Sequence, residues 1–228
     1  MARNTYGLDL GSYEIKVYDK KQDTIWKEKN VLAVQDKKEI IAIGEDAYQM
    51  YEKTPPDIEV AFPMRDGVIS RFNDMQNLLQ NILKKNRHFS RGAEYVIAVP
   101  TDVTEVQKKA FFDLVIHSNA KAREVNIVER SIADAVGLGI DVQNTTGVMI
   151  INFGGETTEL SVLTEGGIVF NRLLKLGGTT LDQEIVNLVR NSHDFLIGSR
   201  TAEILRQQFD VFNGDSETAF SVAGRDLI

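Results

Sequence analysis

The chain has 228 residues, of which 43% are hydrophobic and none is cysteine, and its formal net charge is -7. A chain of this length can bury a sizeable core, in one large domain or in two modest ones. The excess of acidic residues argues against general nucleic-acid binding, which needs a basic face to release phosphate counterions, and the lack of cysteine excludes a disulfide-stapled fold and any thiolate site.

The first part of the chain alternates strand-like and helical patterns, and it enters its first strand almost directly, without an apolar stretch of signal-peptide length. No uninterrupted apolar run approaches the ~20 residues that span a bilayer, so we expect a soluble cytoplasmic protein. Strands are predicted at residues 6–10, 15–18, 31–34, 40–43, 95–99 and 125–128. Helices are predicted at 73–85, after the capping-box pattern that starts at Thr104, and at 132–138.

The second part of the chain continues the alternation. Three consecutive strands with glycine turns between them are predicted at 149–153, 159–163 and 168–174, and helices follow at 181–189 and 202–209. Strands alternating with helices of crossover length indicate an α/β layer architecture. The last residues, 222–228, stop in the middle of a pattern without a cap or polar tail, so we expect the chain to be a piece of a longer protein.

One hairpin pattern occurs twice in the chain. Residues 8–17 resemble residues 151–160, because each segment has a strand, an Asp or Asn, a glycine turn with a hydroxyl residue, and a second strand. The copies lie 143 positions apart (152 minus 9), which predicts two related lobes that face each other across a cleft. Glycine turns let backbone amides approach an anion, and a carboxylate at a strand end can hold hydrated Mg²⁺. The pair would clamp a polyphosphate from both sides, and two ordinary β-hairpins are the alternative.

The segment GLDLGS (7–12) resembles the first phosphate motif of the superfamily of actin, heat-shock chaperones and sugar kinases. Within that superfamily, ordered blocks over nearly the whole chain are similar to the MreB family: FPMRDGVI (62–69), VPTDVTEV (99–106), GGETTE (154–159), GGIV (166–169), LGG (176–178) with LD (181–182), and LIGSRTAE (196–203). The resemblance implies an α/β actin-like ATPase fold of the ribonuclease H type, with two lobes around a nucleotide cleft and an incomplete second lobe.

The resemblance also implies a domain division. Residues 1–143 would form the first lobe, with a core subdomain at 1–30 and 66–143 and a small inserted subdomain at 31–65. Residues 144–228 would form the part of the second lobe that carries the second phosphate hairpin and the start of its outer subdomain. The family's later adenosine motif and last helix would lie beyond Ile228.

The resemblance assigns a binding site for ATP or ADP with Mg²⁺. Its nucleotide-binding residues would be Asp9, Gly11, Ser12, Tyr13, Glu14, Gly154, Gly155, Glu156, Thr157, Gly177, Gly178, Glu203 and Arg206. Asp9 and Asn152 hold the positions that would bind Mg²⁺ through water. The family's water-orienting catalytic Glu, followed by Pro, aligns with Arg130-Ser131, directly after Glu129.

The chain departs from the family at several of these positions. Glu14 replaces an Asn, Asn152 replaces an Asp, Glu156 replaces a Gly, and Glu203–Arg206 keeps one of two Glu residues. Asn152 lacks the charge that draws a Mg²⁺ shell, and a guanidinium has no acceptor with which to orient water. One step along a helix turns a side chain by ~100°, so Glu129 should not substitute for Arg130. Two like charges at 4 Å repel by about 1 kcal/mol in water and about 4 at an effective dielectric of 20, so Glu14 and Glu156 should weaken phosphate binding.

By resemblance, the chain is identified as an MreB-like cytoskeletal subunit that forms membrane-associated filaments directing cell shape and wall synthesis, and binds nucleotide with weak or absent hydrolysis. Its partners would be its own copies, membrane-spanning shape proteins, the wall-synthesis machinery, and the inner face of the cell membrane, which it would meet through Lys84, Lys85, Arg87, Phe89 and Arg91. A non-polymerising actin-like adaptor with a degenerate nucleotide site is the main alternative. A small-molecule kinase is a third, and Asp9 is its single candidate acid.

Overall fold

A computed structural model describes residues 4–85, 92–208 and 219–228. The strands are β1 (Thr5–Leu10), β2 (Glu14–Asp19), β3 (Thr24–Lys29), β4 (Leu32–Gln35), β5 (Glu39–Ile43), β6 (Ile58–Ala61), β7 (Met64–Arg65), β8 (Val68–Ile69), β9 (Glu94–Val99), β10 (Glu124–Glu129), β11 (Val148–Phe153), β12 (Thr158–Thr164), β13 (Gly167–Leu174), β14 (Phe195–Leu196) and β15 (Arg225–Asp226). The helices are α1 (Glu45–Met50), α2 (Phe72–Lys85), α3 (Glu105–Ile116), α4 (Arg130–Gly137), α5 (Gly178–His193) and α6 (Ser199–Gln208).

A five-stranded mixed sheet with the order β10-β9-β1-β2-β3 organises the first part of the chain. Strands β1, β9 and β10 run parallel, whereas β2 pairs antiparallel with β1 and β3 pairs antiparallel with β2. Parallel strands place their carboxyl ends at one edge of a sheet, where open α/β sheets usually carry their ligands. The ends of β1, β9 and β10 therefore bring residues from three distant segments to one edge.

The main core lies between this sheet and helices α2 and α3. Alternate residues of β1 (Tyr6, Leu8 and Leu10) are buried, as the strand period requires. The helices cover them with Met75, Leu78, Leu79 and Ile82 from α2 and with Phe111, Leu114 and Val115 from α3. The α2 spacing of three and four residues puts its four apolar side chains on one helix face, which confirms the predicted helix.

Two smaller sheets each pack around a hydrophobic cluster of their own. The sheet β5-β4-β6 packs with α1 around Val31, Ala33 and Ala47. The antiparallel sheet β11-β12-β13 packs against α4 through Ala135, Val142, Ile150 and Leu163. On the other face of β11, the side chains of Met149, Ile151 and Phe153 are more than half exposed.

The chain divides into two compact units, Met1–Lys175 and Leu176–Ile228. In the second unit, α5 and α6 pack through Val186, Ile197, Ala202 and Leu205, and β14 pairs with β15. The predicted lobe boundary at 143/144 lies inside the first unit, and the division into lobes stays a prediction. None of the described helices combines the length and apolar character needed to cross a membrane.

Every strand and helix predicted from the sequence is present, with ends that shift by a few residues, and position 209 of the last predicted helix lies outside the described residues. The elements that the sequence patterns did not predict are β3, α1, β6, β7, β8, β14 and β15. They are short or lie at sheet edges, so their apolar residues form no clear period.

The capping box of α3 provides a test of the local sequence signal. The side chain of Thr104 accepts from the amide of Gln107, and the Gln107 side chain accepts from the amide of Thr104. We expect Thr104→Ala to lower the free energy of unfolding by about 1 kcal/mol, because the first turn loses a capping acceptor. Val106→Ala is the matched control, since Val106 is 79% exposed in the same turn. Equal effects of the two substitutions in urea unfolding would contradict the capping role.

Candidate functional site

The two predicted hairpins are closed by the same hydrogen bond. In the first hairpin the Gly11 amide donates to the Glu14 carbonyl (3.1 Å), and in the second the Gly154 amide donates to the Thr157 carbonyl (2.8 Å). The register repeats as well, because Asp9 lies opposite Lys16 and Asn152 lies opposite Glu159. These positions keep the 143-residue offset (152 minus 9, 159 minus 16). The repeat found in the sequence is therefore also a repeat in the structure.

The hairpins touch each other at their turns. A Cβ added to Gly155 would lie 2.6 Å from the Cβ of Tyr13, which is closer than real side chains approach. A Cβ on Gly11 would lie 2.8 Å from the Glu14 carbonyl oxygen. Only glycine fits at these two places, one inside the first turn and one where the second turn meets Tyr13.

Asp9, at the end of β1, lies between two cations. Its Oδ2 is 3.0 Å from Lys16 Nζ on the neighbouring strand, and its Oδ1 is 3.5 Å from Arg130 Nη2. Lys16 was not among the predicted site residues, although the antiparallel register places it directly opposite Asp9. The predicted Mg²⁺-binding carboxylate is therefore ion-paired on both oxygens.

Arg130 is the first residue of α4, directly after β10 ends at the shared sheet edge. It is 9% exposed, although it carries a charge. Its Nε and Nη2 atoms are buried and have no hydrogen-bond partner among the described residues. A buried guanidinium with unmade hydrogen bonds is costly, and the ion pair of Nη2 with Asp9 offsets part of that cost.

Asn152 is held by a carboxylate that the sequence analysis missed. Its Nδ2 donates to Asp134 Oδ2 (2.6 Å), and Asp134 lies four residues after Arg130, one turn along α4. Burial raises the pKa of Asp134, while the hydrogen bond from Asn152 and the charge of Arg130 lower it. Asp9 and Glu159 raise the pKa further, so these groups share one electrostatic environment. The spacing from Arg130 was the signal that could have revealed Asp134.

A buried polar network lies behind the second hairpin. Glu159, which is 3% exposed, accepts through Oε1 from the Thr101 amide (2.9 Å) and from Asn171 Nδ2 (2.8 Å). The hydroxyls of Thr101 and Ser131 are hydrogen-bonded (2.9 Å), which ties β9 to α4. Glu159 Oε2 has no partner among the described residues. The network fixes β12 against the sheet edge and leaves one buried acceptor open.

The two acidic departures in the hairpins are ion-paired. Glu14 lies 3.9 Å from Lys27, and Glu156 accepts from Arg65 Nη1 (2.9 Å). Glu156 Oε2 also accepts from the Asp66 amide (2.7 Å). Basic partners thus offset the negative charge that we expected to oppose phosphate.

The turn between β7 and β8 is bound by both hairpins. Besides the Asp66 contact with Glu156, the Gly67 amide donates to Ser12 Oγ (3.1 Å), and Thr157 Oγ1 lies near Gly67. Gly67 has a φ of +81°, a conformation that glycine adopts without strain. The block at 62–69, to which the sequence analysis gave no role, thus bridges the two glycine hairpins.

Glu129 points to a different environment from Arg130. It lines a pocket of about 520 Å³ together with Ile132, Val136 and Ile140, and with Gly166 at the β12–β13 turn. This agrees with the expectation that neighbouring residues at the start of a helix direct their side chains to different places. Its placement supports no exchange of roles between the two residues.

The remaining predicted binding residues lie in the second unit. Arg206 forms a bidentate ion pair with Asp182, with Nε to Oδ1 at 2.6 Å and Nη2 to Oδ2 at 3.3 Å. A Cβ on Gly178, which follows Gly177 at the start of α5, would lie 3.1 Å from Arg206 Nη2. Glu203 is buried and accepts from Gln207 Nε2 (3.1 Å). The four residues Gly177, Gly178, Glu203 and Arg206 therefore belong to the α5–α6 pair.

The predicted Mg²⁺ site and the predicted membrane contact both remain predictions. The described part of the chain contains no group of three or more His, Cys, Asp or Glu side chains that could hold a metal ion directly. A Mg²⁺ held through water by Asp9 and Asn152 stays a prediction. Of the predicted membrane contact, Lys84 and Lys85 are the last two residues of α2, whereas Arg87, Phe89 and Arg91 lie outside the described residues, so this contact stays a prediction.

The family model for MreB/Mbl protein matches residues 3–228 of the chain. Among curated proteins, the cell shape-determining protein MreB of Escherichia coli (strain K12) is 34% identical over 236 residues, which cover 100% of this chain and 67% of that protein. The chain therefore spans about two thirds of the length of this relative.

Solved structures give the same result for the fold. MreB 5 of Spiroplasma citri bound to AMPPNP has a TM-score of 0.87 at 30% identity, covering 100% of this chain and 69% of that one. MreB5 of Spiroplasma citri bound to ADP has a TM-score of 0.83 at 32% identity, covering 90% and 62%. A MamK double helical filament, at 19% identity and a TM-score of 0.74 over 91% of this chain and 65% of that one, shows the fold alone. The predicted α/β actin-like fold is confirmed.

The contact between Glu156 and the β7–β8 turn can be tested by amide hydrogen exchange. In Glu156→Ala we expect the Asp66 amide to exchange about tenfold faster or more, because it loses a charged acceptor. Arg65→Ala is the control, since it removes the exposed partner of Glu156 and leaves the acceptor in place. Unchanged exchange of the Asp66 amide in Glu156→Ala would contradict the contact.

The environment of Asp134 can be tested by a carbon-13 NMR titration of its carboxyl group. We expect a pKa above the ordinary value of 3.8, because burial disfavours the charged form. In Arg130→Gln the pKa should rise further, since the neighbouring positive charge is lost. A proton bound more tightly in the folded state stabilises it below pH 3.8, and this contribution disappears as the pH rises through the folded pKa. A pKa at or below 3.8, or a fall in Arg130→Gln, would be inconsistent with this geometry.

Proposed function

The chain belongs to the MreB/Mbl family, and on that premise we propose that it is a cytoskeletal subunit of actin-like filaments that binds ATP or ADP and hydrolyses ATP slowly or not at all. The relatives are named for determining cell shape, and MreB5 has been solved with AMPPNP and with ADP. The filament would associate with the inner face of the cell membrane, in the cytoplasm, and direct wall synthesis together with membrane-spanning shape proteins.

The observation that carries nucleotide binding is the paired glycine hairpins. Their turns meet at Gly155 and Tyr13, where a Cβ would not fit, and the buried guanidinium of Arg130 lies at the same sheet edge as Asp9. These features fit a polyphosphate, which needs close backbone approach and buried positive donors. Asp9, Gly11, Ser12, Tyr13, Glu14, Gly154, Gly155, Glu156 and Thr157 are the proposed phosphate-side residues. Gly177, Gly178, Glu203 and Arg206 are proposed for the nucleotide on the strength of the resemblance.

Impaired hydrolysis is proposed from two substitutions. A bound nucleotide supplies a phosphoryl group that water can attack, and the protein must orient that water with an acceptor. Arg130 has none, because a guanidinium only donates. Asn152 is neutral and donates through Nδ2 to Asp134, so it lacks the negative charge that would order a Mg²⁺ shell.

A non-polymerising adaptor is the second candidate, and one observation favours it. Both oxygens of Asp9 are already ion-paired, by Lys16 and Arg130, so the first hairpin has an internal charge balance without any ligand. A protein whose nucleotide site had closed would show such pairing. No contact among the described residues favours a small-molecule kinase over these two candidates.

Electron microscopy of the full-length protein on anionic lipid vesicles, with and without MgATP, tests the filament proposal. We expect polymers on the lipid that need nucleotide for assembly. A protein that remains dispersed at all nucleotide concentrations, while calorimetry also detects no nucleotide binding, would contradict the proposal and support the adaptor.

The hydrolytic defect should be partly reversible. In the double variant Arg130→Glu with Asn152→Asp, we expect ATP turnover to rise by about 10²-fold, the lower end of what a positioned acid–base group contributes. Phosphate release measured in the presence of Mg²⁺ gives the rate. Glu129→Gln in the same background is the control and should leave turnover unchanged, because Glu129 lines the pocket formed with Ile132, Val136 and Ile140. A double variant as inactive as the parent would show that position 130 is not the water-orienting position.

A further inference from the structure

Asn152 is held in one orientation by Asp134. The Nδ2 group of Asn152 donates to Oδ2 of Asp134 at 2.6 Å, and both side chains are partly buried. An ionised carboxylate accepts hydrogen bonds and has none to donate, so the NH₂ side of the amide must face Asp134. The carbonyl oxygen, Oδ1, lies on the other side of the amide and makes no hydrogen bond within the described part of the chain. Asn152 thus presents an acceptor oxygen, as an Asp at this position would.

Asp134 carries a negative charge that is only partly compensated. Its Oδ2 accepts from Asn152, whereas its Oδ1 has no hydrogen bond or ion pair among the residues that the structure describes. Burial raises the pKa of Asp134, but the hydrogen bond from Asn152 and the charge of Arg130 lower it and favour the carboxylate. Arg130 forms its ion pair with Asp9 and not with Asp134. The charge of Asp134 is therefore available to a cation near Asn152.

The two hairpins have opposite electrostatic surroundings at equivalent positions. Asp9 is an acid, and it lies opposite the cation Lys16, with which it forms an ion pair. Asn152, its equivalent in the second hairpin, is neutral and lies opposite the acid Glu159, with the second acid Asp134 against its amide. Glu159 is 3% exposed, and its Oε2 has no hydrogen-bond partner among the described residues. The surroundings of Asn152 therefore attract a cation.

Hydrated Mg²⁺ is the cation that these groups fit. Mg²⁺ prefers oxygen ligands and usually keeps several waters, while one or two carboxylates and the phosphates of a substrate hold it. Within the described ranges of the chain, no cluster of three or more acidic or histidine side chains could bind a metal ion directly. Contact through water is therefore the mode that an amide oxygen and a carboxylate behind it can provide.

We infer that Asp134 supplies the charge that position 152 lacks. It fixes the amide of Asn152 so that Oδ1 accepts from a water of hydrated Mg²⁺, and its carboxylate attracts that cation to a bound nucleotide. Asp134 is a positioning residue, because it acts through Asn152 and the bound water. The inference rests on the proposed function, since the cation arrives with the nucleotide. An amide holds water less firmly than a carboxylate does, so retained Mg²⁺ is compatible with slow hydrolysis.

Calorimetric titration of ADP into the full-length protein, with Mg²⁺ and with EDTA, measures this role. The wild type should bind ADP about tenfold or more tightly with Mg²⁺ than in EDTA, and Asp134→Asn should reduce this ratio to less than about threefold. The affinity of Asp134→Asn for ADP in EDTA should not fall, because the substitution removes a negative charge near the phosphates. A residue that only supports the fold would instead lower both affinities together.

An exchange of the two side chains separates the charge from the fold. The double variant Asp134→Asn with Asn152→Asp keeps one carboxylate, one amide and the hydrogen bond between them, so it should regain the Mg²⁺ dependence of the wild type. Asp141→Asn is the matched control and should leave the dependence unchanged. Asp141 is an exposed acid just after α4, and its contacts are with Gln143 and Asn144 of its own turn.

A measurement on the wild type guards against variants that fail to fold. Mg²⁺ added to the ADP complex should shift the NMR signals of the Asn152 side-chain amide. Signals that ignore Mg²⁺, an Mg²⁺ dependence that Asp134→Asn leaves unchanged, equal losses with Mg²⁺ and with EDTA, or a folded double variant that does not regain the dependence would overturn the inference and leave nucleotide binding intact. A wild type that binds no ADP under either condition would overturn the proposed function together with the inference.

Discussion

A buried arginine at the carboxyl edge of the main sheet constrains everything around it. Removing a guanidinium from water costs several kcal/mol even after the protein relaxes, so neighbouring groups must compensate it. Arg130 can occupy its place because β10 and β1 both run parallel to β9, which lies between them, and the end of β10 delivers the start of α4 next to Asp9. The five-stranded sheet, the core under α2 and α3, and the bond between Thr101 and Ser131 hold that junction in register.

The substitutions around this arginine form a matched set of charges. Glu14 and Glu156 would place uncompensated charge in the hairpins, and Lys27 and Arg65 balance them. Where the resemblance expects an acid at position 152, the amide of Asn152 binds Asp134 instead. The site has therefore changed its charge distribution while it kept the glycine geometry of both turns. The proposed function, a filament subunit that binds nucleotide and hydrolyses it slowly or not at all, is consistent with this arrangement of charges.

Much of the fold could be predicted because the spacing of hydrophobic residues and the residues that form turns are local features of the sequence. The three- and four-residue spacing of Met75, Leu78, Leu79 and Ile82 defines one helix face, and the repeat of residues 8–17 at 151–160 marks the two hairpins. The edge strand β3 was missed because three of its six residues are charged, and α1 was missed because it has six residues and begins after Gly44 without a side-chain cap.

The site was predicted less completely because its contacts join distant segments. The bond from the Asp66 amide to Glu156 spans 90 residues, and no pattern in the sequence announces it. Asp134 could have been predicted from the sequence, since it lies one helix turn from Arg130, but its hydrogen bond depends on where β11 places Asn152. Motif comparison located the positions, and the structure supplied the partners that change their chemistry.

A structure of the full-length protein grown with MgATP, and not with an analogue, tests the central claim most directly. The account predicts an intact triphosphate held between the two hairpins. A site that contains ADP after incubation with ATP, or a site without nucleotide, would contradict it.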